Sequence, residues 1–89
     1  MQLIAMEDIL HLEGSGNYSE IITFNGDSFT SSKPLSYYEI KLPSEIFYRV
    51  HKSHIVNIKG VVQYARIRYG VLSLVNGAEI PISETKRSE

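Results

Sequence analysis

The sequence predicts a mainly β domain. Three observations carry that prediction: short alternating or β-branched runs recur along the chain, Gly-containing turn pairs separate them, and one stretch alone has helical spacing. Ile9-Leu10-His11-Leu12-Glu13 alternates and stops at Gly14-Ser15-Gly16-Asn17, a loop rich in turn formers, after a short apolar run at Leu3-Ile4-Ala5-Met6. Tyr18 to Phe24 is β-branched and aromatic, as strands are. Asn25-Gly26 then offers the positive-φ positions of a two-residue type I′ hairpin, with Ser28 to Ser32 as the returning strand. The helical stretch follows. Pro34 suits a first helical position, Leu35, Tyr38 and Leu42 share one face, and Pro43 ends the segment after about two turns.

Strands resume beyond it. Phe47 to His51 is followed by a break at Lys52-Ser53, then by Ile55-Val56-Asn57. Val61 to Ser83, punctuated by Tyr69-Gly70 and Asn76-Gly77, reads as a three-stranded meander. In its last strand Ala78, Ile80 and Ile82 share a face, and Pro81 lacks a ladder donor, which places that strand at an edge. Ser83 suits an N-cap, so Glu84-Thr85-Lys86-Arg87 would open a second short helix. The 89 residues make one domain, 1–89. The expectation is that it was excised from a longer protein, with that last helix truncated.

There are no cysteines, so neither disulfides nor thiolate metal sites are available, in keeping with a reducing cytoplasm. No signal-peptide pattern or run of about 20 apolar residues is present, so a soluble cytoplasmic protein without membrane contact is expected. Net charge is −1, yet it is unevenly spread. Residues 1–45 hold seven acids against two bases, Lys33 and Lys41; residues 46–89 hold seven bases against three acids. From Ile46 to Ala78 there is no acid at all. Such asymmetry can present a positive face to a polyanion; chance clustering in a short chain is the plain alternative.

Catalytic and metal chemistry find little support. His51-x-x-His54 lies in a strand context, where residues three apart point to opposite faces, and no further ligand is near in sequence. No nucleophile elbow or paired-carboxylate motif stands out, and Gly14-x-Gly16 lacks the rest of a dinucleotide fingerprint. No enzyme activity, metal or cofactor is expected. Nucleic-acid binding is better served: Arg49, Lys52, Lys59, Arg66 and Arg68 supply positive charge, while Ser53, His54, Asn57 and Gln63 add neutral hydrogen-bonding groups. Arg66 and Arg68 would equally suit a solvated strand face, and Tyr48, Tyr64 and Tyr69 suit packing better than base stacking. A β-rich protein-interaction or ligand-sensing module remains the alternative.

The order of segments is more specific. Ile9-Leu10-His11-Leu12-Glu13 followed by Gly16-Asn17-Tyr18 resembles the opening of the LytTR DNA-binding domain, the LytR/AlgR family of bacterial regulators. Phe47-Tyr48-Arg49-Val50-His51-Lys52-Ser53-His54-Ile55-Val56-Asn57 resembles that family's central signature, and Asn76-Gly77-Ala78-Glu79-Ile80-Pro81-Ile82-Ser83 its closing block. The resemblance implies an elongated fold of about ten short strands in three antiparallel sheets with one or two short helices. It implies sequence-specific binding of double-stranded DNA as the output domain of a transcription regulator in a two-component system, with loops entering the major groove. Repeated half-sites, a receiver domain in the full-length protein and a possible homodimer on DNA are the implied partners. The contact residues so implied are Asn17, Tyr18 and Ser19; Lys52, Ser53 and His54; and Thr85, Lys86 and Arg87. Lys52 stands where many relatives have Arg, and Lys lacks the planar fork that pairs with guanine. Arg49 is expected either at a phosphate or paired with an acid from the first half of the chain. His51 and Asn57 are expected to shape the loop by hydrogen bonds.

Overall fold

A computed structural model describes residues 4–65 and 70–83. Among these residues the fold is mainly β, with eight strands in two antiparallel sheets and one α-helix. This is fewer than the ten strands in three sheets that the resemblance implies. The five-stranded sheet contains β1 (Ile9–Ser15), β2 (Tyr18–Thr23), β3 (Ser28–Ser31), β4 (Phe47–His51) and β5 (His54–Asn57), in the order β3-β2-β1-β5-β4. The second sheet is the expected meander of β6 (Val61–Ala65), β7 (Val71–Leu74) and β8 (Glu79–Pro81), with β8 and its proline at an edge. Helix α1 spans Leu35–Lys41 with Pro34 as its N-cap. Met6–Asp8 and Ile58–Gly60 are short 3-10 helices, the first standing where the apolar start of the chain suggested a strand. The molecule measures 41 × 25 × 22 Å, elongated as expected.

Strand β1 is buried on both faces, and two irregularities make that possible. Ile9 pairs with Thr23 but His11 with Ile22, so Leu10 is an extra residue in the ladder. Such a bulge resets the alternation of side chains. Ile9 and Leu12 consequently pack together with Ile21, Leu35, Leu42, Phe47 and Ile55 under α1. Leu10 turns the other way, joining Val56, Leu74 and Ile80 against the second sheet. The same shift occurs in β4, where Arg49 pairs with Ile55 and His51 with His54, and Val50 packs beside the Leu10 cluster. The result is three layers, with the five-stranded sheet in the middle.

Both Asn-Gly pairs form turns, as expected, but Asn25-Gly26 does not form the expected two-residue kind. The Gly26 amide donates to the Thr23 carbonyl (3.1 Å) and the Thr23 amide to the Asp27 carbonyl (2.9 Å), leaving a three-residue loop. Leu74, Gly77 and Ala78 repeat this pattern at 2.9 Å each. In both, Gly takes the left-handed conformation, with φ of 96° and 90°, that closes a three-residue hairpin. Asn25 and Asn76 each accept a hydrogen bond from the amide two residues on (3.2 and 3.0 Å). Asn therefore acts here as a side-chain acceptor.

Leu10 is fully buried where the two layers meet. Leu10→Ala is expected to cost about 2–5 kcal/mol in chemical denaturation. A cost below about 1 kcal/mol would show that the second sheet is not packed through this residue.

Candidate nucleic-acid interface

Two hairpin turns distant in sequence meet at one end of the five-stranded sheet. Ser15 pairs with Tyr18, which makes Gly16-Asn17 the β1–β2 turn and extends β1 through two residues expected in a loop. His51 pairs with His54, which makes Lys52-Ser53 the β4–β5 turn. Because β1 and β5 are neighbours, with Glu13 opposite His54, both turns project from the same end. The Gly14 amide ties them together by donating to the Ser53 carbonyl at 2.8 Å. No side chain fits at Gly14, since a Cβ there would lie 2.7 Å from Leu35 Cγ.

The residues expected to touch DNA separate into two groups. Asn17, Tyr18 and Lys52 are exposed at this end, Tyr18 by 59%, with Ser53 and His54 half-buried beside them. Ser19 is not on the surface. It is 1% exposed because it lies on the Ile21 side of β2, and its hydroxyl donates to the Lys33 carbonyl at 2.7 Å. This corrects the expectation of a direct contact by its side chain. Arg49 resolves toward the acid: one guanidinium nitrogen donates to Glu39 of α1 at 2.8 Å and the other to the Lys52 carbonyl at 2.6 Å. The ion pair is partly solvated, with side chains 25% and 48% exposed, and contributes about 0–1 kcal/mol at most. Its effect is on position, since it holds the backbone of the turn from behind.

His51 also shapes the turn, its Nδ1 accepting the Ser53 amide at 3.1 Å. Asn57 does not. It is buried at the opposite end of β5, where its amide donates to the Ile9 carbonyl (2.9 Å) and its oxygen accepts the Lys59 amide (2.9 Å). Lys59 is at that far end as well. Thr85, Lys86, Arg87, Arg66, Arg68 and Tyr69 lie outside the described residues, as does the side chain of Tyr64. The last described residue, Ser83, donates its amide to the Val50 carbonyl at 2.8 Å, which brings the chain back beside the β4–β5 turn. Lys33, counted in the sequence only as a base, is exposed at the same end, since Ser31 pairs with Ser19 at the start of β2.

The three histidines form one cluster beneath the turns. On one continuous strand His51 and His54 would point to opposite faces. The two-residue turn instead makes them cross-strand neighbours with ring centroids 5.3 Å apart. No group of three or more His, Cys, Asp or Glu among the described residues could hold a metal ion. Burial pushes the pKa of both His11 and His54 below the ordinary imidazole value. The Glu13 carboxylate opposes that shift at both, while neighbouring imidazoles add to it.

The comparisons with known proteins complete the picture. The family described as the LytTr DNA-binding domain matches residues 1–89. The chain is a member of the LytTR family. It is 31% identical over 90 residues to the heme-containing CO-sensing transcriptional regulator RcoM 1 of Paraburkholderia xenovorans, a match covering 98% of this chain and 33% of that protein. It is likewise 31% identical to the sensory transduction protein LytT of Bacillus subtilis, over 98% of this chain and 36% of that one. The LytTR chain thus spans about a third of the curated relatives it matches. In fold it is similar to the LytTr DNA-binding domain of a Bacillus cereus protein described as a methyl-accepting/DNA response regulator. The TM-score is 0.88 at 24% identity, covering 96% of this chain and 79% of the other.

The lowered imidazole pKa values make the stability of the domain depend on pH. With pKa values lowered in the folded state, His11 and His54 favour folding while neutral. Their contribution is full above the ordinary value of 6.5 and is lost as the pH falls below it toward the lowered folded values. Thermal melting between pH 7.5 and 5 is expected to show falling Tm on acidification, less steeply in His11→Gln. A Tm that rises with acid would contradict this assignment.

Proposed function

We propose that this LytTR domain reads duplex DNA through the end of the five-stranded sheet. The Lys52-Ser53 and Gly16-Asn17 turns enter the major groove, and Asn17, Tyr18, Lys52, Ser53 and His54 make the contacts. The observation that carries this reading is the bond from the Gly14 amide to the Ser53 carbonyl. It fixes two polar, exposed turns in one register, as a rigid reader of base edges requires. Lys52 acts as a compact charge able to reach a phosphate or a guanine edge, without the geometric selectivity of an arginine fork. Ser19 and Arg49 support the surface from behind. Thr85, Lys86 and Arg87 follow from Ser83, which is anchored beside the same end, and are assigned as a third contact segment.

The domain is proposed to work in the cytoplasm as the output part of a longer regulator, consistent with relatives about three times its length. A receiver domain is the proposed companion. Two copies on repeated half-sites would then gain affinity by linkage. No helix among the described residues is long and apolar enough to cross a membrane.

A salt series tests this directly. Affinity for duplex recovered by selection from a random pool is expected to fall linearly in log K against log salt, with a slope of about −0.9 per phosphate contacted. Lys52→Ala is expected to weaken binding without changing the melting temperature. A flat salt dependence would contradict DNA binding, and full affinity in Lys52→Ala would move the contact surface elsewhere.

A further inference from the structure

Lys33 lies on the other side of the basic end from Lys52. It follows β3, the outermost strand, while Lys52 sits in the turn at the opposite edge. Its backbone is held twice: its carbonyl accepts the hydroxyl of buried Ser19 at 2.7 Å, and its amide donates to Ser31 Oγ at 3.2 Å. Its ammonium stands over the Tyr37 ring, 5.3 Å from the centroid. Among the described residues no carboxylate lies within salt-bridge distance of it, the one ion pair there being Arg49 with Glu39. A buried serine hydroxyl is thus spent on fixing the backbone of an exposed, unneutralised lysine at the DNA-facing end.

Spacing gives this lysine a role. Adjacent strands are about 4.8 Å apart, so Ser19 of β2, which holds the Lys33 carbonyl, and the β4–β5 turn are separated by about 12 Å across the sheet. The major groove is about 12 Å wide, and the phosphates stand on its two walls. A sheet end of that breadth straddles one groove. We infer that Lys33 is a phosphate clamp: it contacts the backbone on the groove wall opposite Lys52, while the Gly16-Asn17 turn between them faces the bases. This deepens the DNA-binding reading above and rests on it. Lys41, whose ammonium is 5.6 Å from the same Tyr37 ring, lies one helix length further back and serves as the control.

The test compares Lys33→Gln, Lys33→Arg and Lys41→Gln with the unaltered chain. Two probes are used: the selected duplex and a mixed-sequence duplex of equal length. Lys33→Gln is expected to weaken both by a similar factor, on the order of fivefold, and to reduce the salt slope by about 0.9. Lys33→Arg should restore the slope, and Lys41→Gln should leave it unchanged. Circular-dichroism melts identify any variant that loses binding by unfolding; should Lys33→Gln unfold, Lys33→Ala is measured in its place against the same expectations. An unchanged slope in folded Lys33→Gln overturns the clamp. So does a loss confined to the selected duplex, which marks a base contact. If Lys52→Ala loses affinity while Lys33→Gln does not, the DNA-binding reading stands and the clamp alone fails. If the unaltered chain binds neither duplex, both fall together.

Discussion

Strand β1 is the constraint on which the rest of the structure depends. It is the strand where two hairpins, with β3 and α1 between them in sequence, share a ladder. Its bulge at Leu10 lets one strand serve two cores, sending Leu12 toward α1 and Leu10 toward the second sheet. A regular strand with these residues would place Leu10 and Leu12 on one face and leave the second sheet without its central apolar contact. The matching irregularity at Val50 in β4 does the same for the strand at the edge.

From this follows the geometry of the basic end. Once β1 and β5 are in register, the Gly16-Asn17 and Lys52-Ser53 turns must project together, and the Gly14 amide closes the gap between them. The supporting groups are then arranged in depth. Arg49 and His51 hold the backbone of the second turn, Ser19 holds the chain at Lys33, and the surface is left to Asn17, Tyr18, Lys33 and Lys52. Glu13 and Glu20, paired across β1 and β2, stand behind the turns, so the positive surface is a narrow rim. The near-neutral net charge of the chain is compatible with DNA binding, since a polyanion responds to the local charge of the surface it is proposed to meet.

The strands, helix α1, the meander and the edge position of Pro81 were legible because each rests on local periodicity or turn chemistry. What was not legible depended on register. Asn-Gly marks a turn, but whether it closes a two- or a three-residue loop depends on which strand residues pair across it. His51 and His54 are three apart, and only a hairpin turn between them brings their rings together. Tyr18 and Glu20 share one face of β2 and Ser19 and Ile21 the other, but which face is buried depends on how the sheet packs; the family resemblance alone placed Ser19 on the surface. Lys33 had no local signal, because its place depends on a hydrogen bond from a residue fourteen positions away. For Arg49, two roles fitted the sequence, and only the packing of α1 against β4 brings Glu39 within reach.

One end of one sheet is proposed to meet the DNA. Amide chemical-shift perturbation measures this most directly, by titrating the 15N-labelled chain with a selected duplex. The largest shifts should fall at Asn17–Tyr18, Lys33 and Lys52–His54. The opposite end, represented by Asn25-Gly26, Lys59 and Asn76-Gly77, should stay nearly unmoved. Shifts centred on that opposite end or on the outer face of α1, with the two tied turns unaffected, would place the DNA elsewhere on the domain.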